Sequence, residues 1–252
     1  MLLFTASLLS FSQTIVEKSL GESVFRSGEK LIFRIHYGFI TGGEAIISAH
    51  ETLLNDKMVF HAKVMGRTSG LADKIYRVID VYESFFDPAN NLPHKAIRNI
   101  SEGNYRFYDE VAYHHDELYV ESQRKGKVAI PPQTLDIVSV MFYVRRLDLN
   151  MLNFNDVIRF DTYFSDEIFP FYIVYKGKET ISIGSGKYKC FKFVPVVEPG
   201  RIFKNEDDMT VWFSDDENKI PVSVKFDILV GSFRCDLVRS ENLKYPLTAK
   251  VK

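Results

Sequence analysis

Apolar and polar residues alternate with a period of two along most of the chain, the spacing of strands with one buried face. Leu31, Phe33, Ile35 and Tyr37 fall on one side, Arg34 and His36 on the other. Gly38 and then Thr41-Gly42-Gly43 turn the chain into a second strand over Ala45–Ala49. Asn55-Asp56 marks the next turn, after which Met58, Phe60, Ala62 and Val64 alternate with His61 and Lys63. This opening predicts an antiparallel meander. The alternation breaks at 66–70, where Ser69 can cap a short helix over Leu71–Arg77. Strands are predicted over Val78–Phe86, Lys95–Ser101, Tyr105–Tyr113 and Leu118–Arg124, closed by Pro131-Pro132.

Helical spacing enters next. Leu135, Val138, Met141, Phe142 and Arg145 lie along one helical face, with Thr134 as N-cap, Asp136 in the first turn and Arg145 and Arg146 in the last. The period of two then returns over Val157–Phe164, Phe169–Lys176, Glu179–Ile183, Tyr188–Val197, Thr210–Phe213, Ile220–Val230 and Ser232–Val238. Several of these segments are apolar on both faces: Phe169, Phe171 and Ile173 point one way, Tyr172 and Val174 the other. A flat sheet with one wet face has no need of that. The pattern therefore predicts an all-β fold with minor α content, a single curved antiparallel sheet or open β-barrel with one main helix packed on it. No linker composition interrupts it, so residues 14–252 read as one domain.

Composition changes this picture in two places. The chain has 252 residues, 46% hydrophobic and 14% aromatic, with 21 Phe and 13 Tyr, enough for a substantial strand-rich core. Lys and Arg number 32 against 33 Asp and Glu, a near balance that gives no basic footprint for nucleic acid. The second place is the N-terminus. Leu2 to Phe11 has the length of a signal-peptide apolar region and is too short to span a bilayer. Residues 1–13 are expected to be a leader cleaved after Gln13, directing the protein to the periplasm or cell envelope. No transmembrane segment is expected. Export would allow Cys190 and Cys235, the only two cysteines, either to form a disulfide or to stay as buried thiols.

Candidate chemistry adds little. Asp215-Asp216-Glu217 lies between two alternating segments and lacks the glycine of a calcium loop, so it reads as a hairpin tip. Six histidines occur. His36 and His61 lie on polar faces and can approach across the sheet, but no metal-binding spacing is present and no metal is expected. Ser185, in Ile183-Gly184-Ser185-Gly186-Lys187, fails both the nucleophile elbow and the phosphate loop. Trp212 projects opposite to Val211 and Phe213, as a core or rim residue or as the wall of a cavity.

The segments GEKLIFRIHYGFITGGEAII, TSGLADKIYRVIDVYESFFD, YKCFKFVPVVEPGRIF and MTVWFSDDENKIPVSVKFDILVGSFRCDL resemble the bacterial exported domain-of-unknown-function 3108 family over roughly Phe25–Leu243. The leader's ending, SFSQ, has the character of Bacteroidetes export signals. The family implies no activity and no catalytic residues. Its outline is similar to the open β-barrels of periplasmic lipoprotein carriers. That likeness implies a plug helix over Leu135–Arg146, with Phe142, Tyr172 and Trp212 as ligand-binding residues. The expectation is a non-enzymatic binding protein for an apolar or lipid-like ligand, without cofactor. The alternatives are a structural or adaptor protein with an envelope partner, and a hydrolase whose site the sequence does not display.

Overall fold

A computed structural model describes residues 19–196, 208–227 and 231–251. The expected leader lies outside them. Among the described residues, fifteen strands form one antiparallel sheet around a buried helix. The first half is a meander: β1 (Glu29–Tyr37), β2 (Ile40–Leu54), β3 (Lys57–Thr68), the short helix α1 (Gly70–Ile75), then β4 (Val78–Phe86), β5 (Pro93–Glu102), β6 (Tyr105–His114), β7 (Tyr119–Ser122) and β8 (Gly126–Ala129). The helix α2 (Ile137–Arg146) follows. The second half runs β9 (Val157–Phe164), β10 (Glu167–Ile183), β11 (Gly186–Pro195), β12 (Met209–Ser214), β13 (Pro221–Asp227), β14 (Ser232–Glu241) and β15 (Lys250–Val251). The two meanders join where β1 pairs with β14, so β8 and β9 stand at the two ends of the strand order.

Those ends approach without a β8–β9 ladder. The strap 130–135 runs beside β9 instead: the Leu135 amide donates to Asp161 O at 2.9 Å and the Tyr163 amide to Leu135 O at 3.0 Å. Side chains close the remaining gap. Arg98 Nη1 on β5 donates to Ser165 Oγ at 2.8 Å, and Lys125 Nζ to Asp166 O at 2.9 Å. Val111, Tyr113, Val120, Ile130 and Tyr163 form an apolar cluster across the seam.

The curled sheet wraps α2. Val140, Tyr143 and Val144 pack on Phe160, Phe191, Phe193 and Phe213. Val138 and Phe142 pack on Phe25, Phe33, Phe60 and Phe86. The N-cap of α2 is Asp136, not Thr134. Asp136 Oδ1 accepts from the amides of Val138 (2.8 Å) and Ser139 (2.9 Å), and Ser139 Oγ accepts from the Asp136 amide, a reciprocal capping box. Thr134 turns its hydroxyl back to Pro131 O at 2.7 Å.

Two predicted strands, Phe169–Lys176 and Glu179–Ile183, are one continuous β10. Between the pairs Tyr175–Phe193 and Lys178–Phe191, two residues of β10, Lys176 and Gly177, stand opposite one of β11, Lys192. This bulge, with Gly177 at a positive φ of 85°, exchanges the faces of everything beyond it. Ile173 and Tyr175 point inward; Glu179 and Ile181 point outward, opposite Cys190 and Tyr188.

Candidate functional site

Phe142, Tyr172 and Trp212 are not brought together. Phe142 is fully buried on α2 within the wrapped core. Trp212 pairs with Lys192 on β11, whereas its neighbours Val211 and Phe213 pair with Phe193 and Phe191 and face the helix. Trp212 thus lies on the outer face, 5% exposed, packed with Tyr188, Cys190 and Val222. Its Nε1 donates to Glu179 Oε1 at 2.5 Å, and the Lys192 and Arg234 cations sit over its ring at 5.7 and 5.4 Å. Leu247 of the C-terminal segment packs on the same cluster, and β15 pairs with β11. The two-faced apolarity of these strands therefore reflects a second covered layer. Tyr172, half-buried, alternates with the inward Phe171 and Ile173 and is on that outer face as well.

The acidic run is the β12–β13 turn, and it anchors the chain's end. Asp216 Oδ1 accepts from Ser214 Oγ at 2.8 Å and the Asn218 amide at 3.1 Å, while Oδ2 accepts from the Ala249 amide at 3.1 Å. Asn218, buried, donates to Tyr245 O and accepts the Tyr245 amide, both at 2.9 Å. Its own carbonyl accepts Arg145 Nε at 3.1 Å. Arg145 then grips Glu29 with both terminal nitrogens, at 2.6 and 2.9 Å, with neither side chain more than 2% exposed. This closes one end of the barrel. Sequence reading placed Arg145 on the apolar helical face but did not supply its partner, which lies 116 residues away.

The histidines separate. His61 Nε2 meets Glu83 Oε2 at 2.6 Å and its Nδ1 approaches His50 at 3.3 Å; burial outweighs the carboxylate and lowers its pKa. His36 Nε2 meets Asp236 Oδ2 at 2.9 Å, and Ser223 Oγ donates to Asp236 Oδ1 at 2.6 Å. Here the carboxylate stands between histidine and serine. Activating a serine needs the imidazole in that middle place. Ser185 donates to Leu237 O at 2.5 Å. Among the described residues, no group of three or more His, Cys, Asp or Glu is arranged to hold a metal. Cys190 and Cys235 are free thiols, both pushed up to about 12 by burial. β12 and β13 separate their strands, three spacings or roughly 14 Å, well beyond disulfide reach.

Two features were missed in the sequence. One is a small pocket of about 50 Å³ at the seam, beside the N-cap of α2, with polar groups set in a mostly apolar wall. Arg98, Asp109, Tyr113, Asp136 and Tyr163 line it. Arg98 lies over the rings of Phe107 (4.6 Å) and Phe164 (4.8 Å), and its Nε makes no hydrogen bond. The buried Tyr113 hydroxyl has no partner, and burial lifts its pKa well above 10. The Tyr163 hydroxyl makes no well-formed bond; Ser122, on the neighbouring wall, donates to Asp109 (3.1 Å). Burial raises both Asp109 and Asp136. No histidine lines this pocket. A second depression, of about 540 Å³, is a polar hollow on the outer surface of β6 to β8, lined by Glu110, Glu121 and Gln123.

The other missed feature is an apolar rim at the opposite end from the Arg145 closure. Phe39 and Ile40 stand out from the β1–β2 turn. α1 buries none of its residues, and Leu71 and Ile75, one helical turn apart, are 72% and 77% exposed. Contacts link the pieces. The Tyr37 and Phe233 rings lie 5.3 Å apart, the Ser69 amide donates to Gly42 O at 3.0 Å, and Tyr76 packs so closely on Gly103 that a Cβ there would meet it at 2.6 Å. The signal was present in the sequence as Leu71 and Ile75 at i and i+4, but exposure is not readable from spacing.

An incompletely closed antiparallel barrel wound on one helix, with its core filled, defines the class of this protein. The chain belongs to the DUF3108 family, described as a protein of unknown function, whose model matches residues 32–238. A β-barrel-like protein of domain of unknown function DUF1849 from Brucella abortus shares the fold, with TM-score 0.56 at 9% identity, covering 87% of this chain and 100% of that one. Two further solved structures show fainter likeness. A DUF1089 family protein from Pseudomonas aeruginosa gives TM-score 0.37 at 10% identity over 70% of this chain and 87% of its own. A protein with a YmcC-like fold from Bacteroides fragilis gives 0.36 at 11% identity over 89% and 100%. No curated protein matches the chain significantly.

Proposed function

We propose that this is an exported, non-enzymatic protein of the cell envelope that acts by surface contact, as a structural or adaptor component. The filled interior carries this reading. α2 and the aromatic rings of seven strands occupy the space a carrier would leave for its cargo. The pocket at the seam holds about 50 Å³, against roughly 300 Å³ or more for a drug-sized ligand. Its wall mixes Ile97, Phe107, Val111 and Phe164 with Arg98, Asp109 and Asp136, so its small size, and not its polarity, argues against a lipid-sized ligand. The apolar rim offers a surface for a partner.

The test is photo-crosslinking in cells from position 39, with position 53, exposed at the far end of β2, as control. A discrete adduct from position 39 alone is the expected outcome. A lipid recovered in equimolar amount by organic extraction of the purified protein would restore the carrier reading. Export is tested by cell fractionation with mass spectrometry of the N-terminus, which should be Thr14.

A further inference from the structure

We infer that the apolar rim is a membrane-docking surface, and that its partner is an anionic lipid bilayer. This rests on the reading that the protein works through its surface. The rim spans β14, the β1–β2 turn, α1 and the β5–β6 turn, and its apolar groups sit on protruding tips. Phe39 is fully exposed, and Ile40, Leu71 and Ile75 follow it. Projecting side chains spread over several turns suit a deformable apolar layer, which needs no matching cavity. Tyr37, Tyr76 and Tyr105 flank them, amphipathic rings of the kind that settle at headgroup level.

Charge decides between bilayers. Lys74 and Arg77, at and just beyond the end of α1, and Arg106, beside Tyr105, are exposed among the apolar groups. The neighbouring carboxylates are engaged or withdrawn. Glu44 is paired with Arg67, Asp73 accepts from Thr68 Oγ1 at 2.9 Å, Asp80 accepts from the Ser101 amide at 3.2 Å, and Glu102 is half-buried beside Asp80. Lys74 and Arg77 are exposed beside the apolar tips, complementary to anionic headgroups, and Arg106 is exposed with its Nη1 held by the Gly103 and Tyr105 carbonyls, both at 2.7 Å. The far end of the barrel, closed by Arg145, Glu29 and the C-terminal segment, also exposes Leu53, Met58, Met151 and Phe154, but there Lys178 is paired with Asp215 and Lys176 is bonded to Asn155.

The experiment is sedimentation of the protein, purified from cells expressing the whole chain, with vesicles of equal parts phosphatidylethanolamine and phosphatidylglycerol. The wild type should co-sediment and should bind phosphatidylcholine vesicles more weakly. Phe39→Ser with Ile75→Ser should weaken association about tenfold or more while leaving thermal unfolding unchanged, since both side chains are already in water. Lys74→Glu with Arg77→Glu should remove the preference for anionic vesicles and its salt sensitivity. Leu53→Ser, at the far end of β2, should change nothing. Any pull from residues 1–18 is common to all variants, so it cannot mimic these differences. Failure of the wild type to bind, or equal binding by Phe39→Ser/Ile75→Ser, overturns the proposal. A position-39 crosslink to a protein with no vesicle binding also overturns it, yet leaves the surface-contact reading standing.

Discussion

Arg145 and Glu29 are held out of water, paired with each other, with one carbonyl and the rings of Phe25 and Phe142 around the guanidinium. Removing either leaves the other's charge buried and uncompensated. Arg145→Ala should therefore cost about 3–5 kcal/mol in urea unfolding. Replacing both residues with apolar ones of similar size should cost much less, because no stranded charge remains. The thiols make a second residue-scale prediction. With pKa values pushed up to about 12, Cys190 and Cys235 should resist a thiol reagent at pH 8 in the native state and react at once in denaturant. Tyr113→Phe should be close to neutral, since the hydroxyl it removes has no protein partner. At this scale the sequence told residue type and face well. It could not tell which residues meet, because pairs such as Glu29–Arg145 and His36–Asp236 join elements far apart in the chain.

Among the elements, the capping box of α2 links local and tertiary structure. Asp136 holds two helix amides and accepts Ser84 Oγ of β4 at 2.5 Å, so it fixes both the helix start and its seat on the sheet. Asp136→Ala should lose about 2 kcal/mol, more than a cap alone commonly gives, with the difference read by urea unfolding. Strands β4 and β9 match their predicted limits, Val78–Phe86 and Val157–Phe164, because alternation and turn residues agree there. β8 and β15 were not legible: four residues and two residues are too short to show a period. β10 was read as two strands because Gly177 looks like a break. Its left-handed φ makes it a bulge instead, and the change of face beyond it is what lets Glu179 reach Trp212.

For the molecule as a whole, burial of imidazoles sets a direction with pH. His61, His94 and His115 are all lowered from 6.5, by burial first. The unfolded chain therefore takes up these protons before the native state does. Stability is complete above about pH 6.5 and declines as pH falls below it. Asp80, Asp109 and Asp136, raised by burial, act in the opposite sense at more acid pH. The urea midpoint should thus fall between about pH 7.5 and pH 6, and His94→Gln should remove part of that fall. The overall class, a curved sheet around one helix, was readable from alternation on two faces. Why both faces are apolar was not, because the covering layer comes from residues near the far terminus, Leu247 and β15.

The pairing of β1 with β14 has a consequence for how the chain is made. Lys30 sits opposite Glu241, so the first strand waits for the last named long strand before its second edge is satisfied. Until then β1 offers an open row of amides and carbonyls to any other chain. A molecule with this connectivity completes its sheet only once β14 has been made and, in any crossing of a membrane, delivered. Shortening it by the final ten-residue strand should leave an aggregating product and not a smaller soluble domain.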